Sequence, residues 1–324
     1  MTNDHILHAY QITASGAGNT IPHEALTAAI ADSPLTWIHL DGTKPEAKKW
    51  LSSHAGFTDN IITDALVADG TRPRIVEYEA GFLLILRGVN LNTNARPEDM
   101  ISIRLWIDSE RIISVQKYNF KAIADIEQRL NTGKGPKSSG EFLCQLIARL
   151  FDRMEPVFSD LDEHLDETEE RVLESPDANE RKAITLIRKQ AISYRRYIAP
   201  QREVISGLRT SDQPWLSQIH KRRLQESLDQ IIRYVEDLDT IRERAQIIKD
   251  ELANALADKM NKNMYILSIV AAVFLPLGFF TGLLGINVGG LPGIDNNAAF
   301  LIVCLICLAF AGTVLGIFKY LKWL

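Results

Sequence analysis

Two long apolar stretches stand near the carboxyl end of the chain, at residues 265–284 and 298–318. They are 20 and 21 residues long, and a helix of about 20 apolar residues crosses the ~30 Å hydrocarbon core of a bilayer. Between residues 264 and 318 the sequence has one charged side chain, Asp295. The pattern predicts two transmembrane helices rather than a buried core hairpin of a soluble protein, and the glycine-rich residues between them predict a tight loop.

Basic residues flank the two apolar stretches on the same side. Lys259 and Lys262 precede the first stretch, Lys319 and Lys322 follow the second, and the loop between them has no lysine or arginine. Because positively charged flanks stay on the cytoplasmic side of a membrane, we expect both termini in the cytoplasm and the loop outside. The first residues show no charged segment followed by an apolar stretch, so we expect no cleavable signal and a cytosolic body.

The first 137 residues mix strand and helix patterns. Runs with strand alternation occupy residues 35–40, 74–79, 82–89, 101–107 and 111–116, and the last four form two predicted hairpins. Helical spacing occurs at residues 45–54 and 59–68. We therefore predict an α/β domain over residues 1–137. We interpret His5 and His8, ahead of the first predicted strand, as part of a flexible N-terminus.

Strand patterns stop at residue 138. Residues 138–173 and 177–208 predict two long helices, packed as an antiparallel pair in a cytosolic segment that spans residues 138–214. From Trp215 the sequence has no proline or glycine until Pro276, which predicts one helix of about 70 residues. Such a helix cannot bury a face alone, so we expect it to pack on the preceding helices or on other copies of itself.

Residues 215–324, which begin with this long helix, divide into four predicted segments. Residues 215–263 form a stalk, residues 264–287 the first transmembrane helix, residues 288–297 the outer loop, and residues 298–324 the second transmembrane helix with a basic cytosolic tail. Pro276 lies inside the first span, where it predicts a bend or a hinge.

A repeat of 3.5 residues along the first span defines a seam of small or weakly polar residues. The seam comprises Asn261, Met264, Ser268, Ala271, Leu275, Gly278, Gly282 and Gly285. Continued backwards, the same repeat reaches Asp250 and Glu243, so the seam becomes acidic below the membrane. Small residues in a membrane helix are explained either by close helix packing or by a pore. The acidic continuation favours a cation pathway, because packing does not need it.

Composition and motifs exclude several other classes. The chain has 36 basic and 41 acidic residues, so it has no basic excess for nucleic acid, and three cysteines cannot build a disulfide scaffold. We find no P-loop, dinucleotide turn or nucleophile motif, and therefore expect neither an enzyme nor ATP-driven transport. Cys304 and Cys307 lie within the second span without further ligands, so we interpret them as packing residues.

An acidic segment in the predicted helix pair has two interpretations. Asp160, Glu163, His164 and Glu167 share one helix face. Such a face is usually a solvated surface. The alternative is a cytosolic metal site, since histidine with carboxylates is an acceptable ligand set for zinc.

The end of the first span carries a family motif. Gly285, Ile286 and Asn287 follow a Phe-Leu-Pro-Leu segment, and the chain ends with a basic Lys-x-x-Lys-Trp-Leu segment. This arrangement resembles the CorA superfamily of divalent-cation transporters, whose signature at this position is Gly-Met-Asn. The isoleucine and the Val-Gly-Gly loop depart from that signature and are similar to the ZntB branch of zinc transporters.

The resemblance implies a funnel-shaped, CorA-like homopentamer in the bacterial inner membrane. The first span would line the pore, the second would form an outer ring, and Asn287 would stand at the entrance. The transported ion would be zinc, with magnesium, cobalt, nickel or cadmium as alternatives, and no cofactor is expected. A CorA-like magnesium or cobalt channel is the alternative within transport, and a membrane-anchored oligomeric scaffold is the alternative from another class.

The residues of the spans limit the transport chemistry. An asparagine ring can hydrogen-bond the water shell of an ion. The seam holds no cysteine, histidine or carboxylate that would bind bare zinc, so we expect a partly hydrated ion, with Leu275 and Met264 as apolar constrictions. The membrane helices also lack a titratable acid. Proton-coupled uptake would therefore need Asp295 at the mouth, the stalk acids Glu243, Asp250 and Asp258, or cytosolic sites.

Overall fold

The computed structural model describes residues 4–32, 35–54, 59–286 and 297–320. The chain divides into two compact units, one of residues 1–175 and 179–249, the other of residues 176–178 and 250–324. The finer boundaries expected at residues 137, 214 and 263 stay predictions.

A seven-stranded mixed sheet organises the first unit. Its strands are β1 (Ile6–Ile12), β2 (Gly18–Thr20), β3 (Thr36–Asp41), β4 (Arg74–Glu77), β5 (Gly81–Gly88), β6 (Ile101–Asp108) and β7 (Arg111–Gln116). The strand order is β2-β1-β3-β7-β6-β5-β4, and β3 with β7 is the parallel pair. The two predicted hairpins are confirmed as the antiparallel pairs β4–β5 and β6–β7.

Helices cover both faces of the sheet. The helices of the described residues are α1 (Leu26–Asp32), α2 (Pro45–His54), α3 (Asn60–Val67), α4 (Lys121–Asn131), α5 (Ser139–Asp152), α6 (Glu155–Glu174), α7 (Glu180–Thr210), α8 (Gln218–Leu284) and α9 (Ala299–Tyr320). Helix α9 and the carboxyl-terminal part of α8 belong to the second unit and are not among those that cover the sheet. On one face Trp106 and Val115 join a core with Leu51 of α2 and Leu66 of α3. On the other face Trp37 meets Phe142 of α5 edge to face at 5.0 Å. Apolar burial on both faces is what fixes the layers.

The amino-terminal prediction is wrong. Residues 6–12 are not a flexible terminus but strand β1, paired with both β2 and β3. His5 is buried, and His8 lies with its Nδ1 2.8 Å from a carboxylate oxygen of Glu127 on α4. The two histidines therefore belong to the folded sheet.

The predicted helix at residues 138–173 is also wrong as a single element. The structure has two helices, α5 and α6, and α5 ends at Asp152. Pro156 stands in the first turn of α6. A proline has no N–H to donate and its ring clashes with the carbonyl four residues earlier, which is that of Asp152, so one continuous helix is broken here.

The antiparallel helix pair is formed by α6 and α7. Phe158, near the start of α6, packs on Tyr194 in the middle of α7 at 5.1 Å between ring centroids. At the other end of α6, Arg171 pairs with Glu180 at the start of α7 at 3.2 Å. From the first contact to the second, the residue number rises along α6 and falls along α7, as an antiparallel pair requires.

A buried histidine lies in the centre of the sheet. His39 on β3 is fully buried, with Nδ1 2.7 Å from the hydroxyl of Ser114, which also accepts a 2.8 Å hydrogen bond from Nε1 of Trp37. Its Nε2 has no hydrogen-bond partner among the described residues. Burial lowers the pKa of His39 from 6.5 to about 4, so the imidazole is neutral at physiological pH.

We expect His39 to make the protein acid-sensitive. Between pH 6.5 and 4 the unfolded chain binds a proton that the folded chain does not, so the stability present above pH 6.5 is lost as the pH falls toward 4. The loss reaches about 3 kcal/mol at most. Thermal unfolding of the purified protein, followed by tryptophan fluorescence across this range, should show a shallower loss in His39→Gln than in the wild type. Parallel profiles for the two proteins would contradict the assignment to His39.

Candidate cation pathway

Helix α8 is 67 residues long and confirms the predicted long helix. Its part in the first unit buries one face against the preceding helices, as expected. The buried side chains are Leu224, Leu228, Ile231, Tyr234, Leu238, Ile241, Ala245 and Ile248. Tyr234 packs edge to face on Phe158 of α6, with 5.2 Å between centroids.

Ion pairs between one arginine of α8 and three carboxylates of α6 link the two helices. The guanidinium of Arg244 lies 3.3 Å from Asp162, 2.6 Å from Asp166 and 2.5 Å from Glu169. The guanidinium donates hydrogen bonds to the carboxylates of Asp166 and Glu169, and these bonds raise the pKa of Arg244. These carboxylates lie on the acidic helix that the sequence singled out, but at other positions of it.

The four predicted metal ligands on α6 remain at the surface. Asp160, Glu163, His164 and Glu167 are all exposed, and Glu167 lies 3.8 Å from Arg171 on its own helix. In the described part of the chain, no three histidine, cysteine or acidic side chains are arranged to hold a metal ion. The metal site gains no support from this geometry and stays a prediction.

Two helices are long and apolar enough to cross a membrane, α8 through its carboxyl-terminal part and α9. Half-buried positions recur at helical spacing along both. On α8 they include Tyr265, Ile269, Val273, Leu277, Phe280 and Leu284, and on α9 they include Val303, Cys307, Ala311, Val314 and Phe318. Each set lies on one side of its helix, as expected for two helices in contact.

The predicted seam lies on the opposite side of α8. Met264, Ser268, Leu275, Gly278 and Gly282 are exposed. Ala271 is half-buried, and Asn261, Gly285 and Ile286 are exposed. At 100° per residue the seam is centred about 150° from the half-buried positions. A Cβ added at Gly278 or Gly282 would meet no atom within 4 Å.

The structure describes the stalk end of the seam, but at the opposite end it describes no residue beyond 286 until residue 297. Glu243 and Asp250 are exposed on α8, and Glu243 lies 3.2 Å from Arg242. At the other end, α8 stops at Leu284, and the N–H of Gly285 donates to the carbonyl oxygens of Thr281 at 3.0 Å and Gly282 at 3.1 Å. Asn287 and Asp295 lie outside the described residues, as do the loop at residues 288–296 and the tail at residues 321–324.

The hydroxyls of Ser268 and Thr281 in the first span donate to carbonyl oxygens of their own helix. Ser268 donates to the carbonyl oxygen of Met264 at 2.9 Å, and Thr281 donates to that of Leu277 at 2.9 Å. Helix α8 continues through Pro276. Within the span the described seam therefore presents mainly apolar atoms and the hydroxyl of Ser268, and no carboxylate, imidazole or thiolate that would bind a bare metal ion.

Sequence comparison identifies the family. Residues 32–320 match the family of CorA-like Mg2+ transporter proteins. The chain belongs to the CorA family. The CorA family comprises divalent-cation transporters, so the prediction that the chain is not an enzyme is confirmed.

This CorA chain matches relatives over nearly its full length. The divalent cation transporter CmaX of Pseudomonas aeruginosa is 35% identical over 98% of this chain and 97% of its own length. The zinc transport protein ZntB of Pectobacterium atrosepticum is 36% identical over 98% of this chain and 96% of its own length. The solved structure of full-length CmaX has a TM-score of 0.86 and 34% identity, and covers 100% of this chain and 99% of that one. The CorA-like arrangement of an α/β domain, long helices and two carboxyl-terminal apolar helices is thereby confirmed.

Proposed function

We propose that this chain forms a homopentameric pore that carries divalent cations, zinc first among them, across the bacterial inner membrane, with both termini in the cytoplasm. The observation that carries the proposal is the exposed seam of α8. A Cβ added at Gly278 or Gly282 would meet no atom of the described residues within 4 Å, and the seam lies away from the half-buried side of the span. A surface of this kind in a transporter family is accounted for by a pathway between copies.

Zinc is proposed on two grounds. The relatives at 35–36% identity include proteins named as zinc transporters, and the Gly285-Ile286-Asn287 motif departs from the Gly-Met-Asn of the wider family. The seam offers no ligand for bare zinc, so the ion crosses this section with part of its water shell. Asn287 contacts that shell at the entrance, and Leu275 and Met264 narrow the path.

The proposal includes coupling of cation uptake to protons. No carboxylate or histidine lies within either span, so a proton cannot be relayed along acids inside the membrane. The proton-binding groups are then Asp295 at the mouth, Glu243, Asp250 and Asp258 on the stalk, or cytosolic sites.

Flux through the reconstituted protein tests the ion and the coupling together. We expect liposomes holding the full chain to take up Zn2+ faster than Mg2+ or Co2+, and to take it up faster with an inward proton gradient. Faster Mg2+ or Co2+ flux would instead support the magnesium or cobalt channel. Equal Zn2+ flux with and without the gradient would remove proton coupling, and no flux of any ion would favour the scaffold.

A further inference from the structure

Three cationic side chains lie together on one face of the sheet in the first unit. Arg104 on β6 pairs in register with Ile85 of β5 and with Val115 of β7. Side chains alternate between the two faces of a strand, so Arg87, two residues after Ile85, and Lys117, two residues after Val115, lie on the same face as Arg104. The three charges stand on neighbouring strands at one end of the sheet.

Arg104 is buried without a full set of partners. Its relative exposure is 2%, and its Nη2 donates to the carbonyl oxygen of Ala68 at 2.6 Å. Its Nε and Nη1 have no hydrogen-bond partner in the described residues. Burial, with the charge of Arg87 adding to it, lowers the pKa of Arg104. A buried charge left without partners is costly, so an acceptor atom that reaches these nitrogens would be bound favourably.

The neighbouring cations are held differently. Arg87 is fixed in place, because its Nε and Nη2 donate to the carbonyl oxygen of Thr71 at 3.1 and 2.8 Å and its Nη1 donates to that of Met100 at 2.5 Å. Its guanidinium also lies 4.7 Å from the ring centroid of Tyr197. Lys117 pairs with Asp69, whose side chain is 89% exposed. Arg87 therefore contributes fixed positive charge, and Lys117 can turn from a solvated carboxylate toward a ligand.

A cavity of 560 Å³ opens over this cluster. Its lining includes Arg87, Arg104 and Lys117, the hydroxyl side chains of Ser102 and Tyr118, and the ring of Tyr197. Small-molecule sites in proteins occupy about 300–1,000 Å³. We propose that this cavity binds a phosphate group, either as inorganic phosphate or on a small hydroxylated metabolite, with Arg104 as the principal contact.

The charges around the cavity define the ligand class. Arginine and lysine are the side chains that proteins use for phosphate, and guanidinium N–H groups form strong charge-assisted hydrogen bonds with its oxygens. The carboxylates of Asp69, Glu98 and Asp99 also line the cavity. They repel a polyphosphate, and they accept hydrogen bonds from the hydroxyls of a singly phosphorylated compound. The site lies within the first unit and does not depend on the proposed transport function.

Calorimetric titration of the purified full-length protein tests the site with three probes: inorganic phosphate, a hexose monophosphate and chloride. We expect the wild type to bind both phosphates and to bind chloride much more weakly. Arg104→Gln should weaken phosphate binding by about tenfold or more, and Lys117→Gln should weaken it to a smaller extent. Arg74→Gln is the matched control, because it removes one positive charge from an exposed position on β4 and should leave binding unchanged.

The outcomes separate the alternatives. Tighter binding of the hexose monophosphate would assign the site to an organic phosphate, and equal binding would assign it to the inorganic ion. Absence of phosphate binding, equal affinity for chloride, or equal binding by wild type, Arg104→Gln and Lys117→Gln would overturn the proposal. If Arg104→Gln does not fold, Lys117→Gln against Arg74→Gln decides the matter, since Lys117 is not buried.

Discussion

Replacing Asn287 by alanine is expected to abolish divalent-cation flux while leaving the oligomer intact. The side-chain amide offers one carbonyl oxygen and one NH2 group, and several copies around an entrance would form a polar ring that hydrogen-bonds the water shell of an arriving ion. Alanine removes both groups and leaves an apolar entrance, which a hydrated ion enters only by losing water. Zn2+ flux into liposomes, beside the oligomeric mass of the same preparation, measures the effect.

Asn263→Ala is the matched control for this variant. Asn263 is exposed on α8 and lies off the seam, so its replacement should leave flux unchanged. Wild-type flux from Asn287→Ala would contradict the asparagine ring. A loss of oligomers in Asn287→Ala would instead give the motif a role in assembly.

Leucine at Gly282 is expected to block flux, lowering it by at least about tenfold, without unfolding the chain. A Cβ at this position meets no atom of the described residues within 4 Å, so this part of the chain leaves the position open to a larger side chain. We therefore expect the effect to come from what lies across the exposed seam. In the proposed pentamer that space is the pore, and a leucine from every copy would close it to a hydrated ion.

Gly312→Leu provides the comparison for Gly282→Leu. Gly312 lies on α9, and a Cβ there also meets nothing within 4 Å, so the two variants differ in their helix rather than in local crowding. We expect Gly312→Leu to retain flux. Loss of both flux and oligomers in Gly282→Leu would show that the glycine seam serves close packing, and normal flux would show that the seam does not line the pathway.

Much of the fold was predicted because its patterns are local. Helix α2 has the predicted bounds, and the hairpins β4–β5 and β6–β7 follow from alternation around short polar turns. Strand β1 was missed because His8 and Gln11 interrupt its apolar pattern. Its strand conformation depends on pairing with β2 and β3, which are distant along the sequence or too short to recognise.

The candidate pathway was predicted in part for the same reason. Helical periodicity along α8 is a local property, so the seam could be predicted from residue spacing alone. Most of its described residues are exposed in the structure. The cation cluster was not readable in this way. In the sequence Arg104 is one charged residue within an apolar strand. The positions of α3 and the loop after it decide which of its side-chain nitrogens find a hydrogen-bond acceptor. No pattern within β6 contains that information.

The edge strands of the central sheet are too short to pair extensively with another copy of the chain. Its two outer strands, β2 and β4, have 3 and 4 residues, whereas β5 and β6 inside the sheet have 8 each. Long, flat edge strands are templates for pairing with another chain, and short edges remove that template. In the proposed pentamer, copies held side by side at a membrane would be at high local concentration. The short edges give a neighbouring copy little backbone to pair with, which protects the protein against strand exchange and fibrillar aggregation.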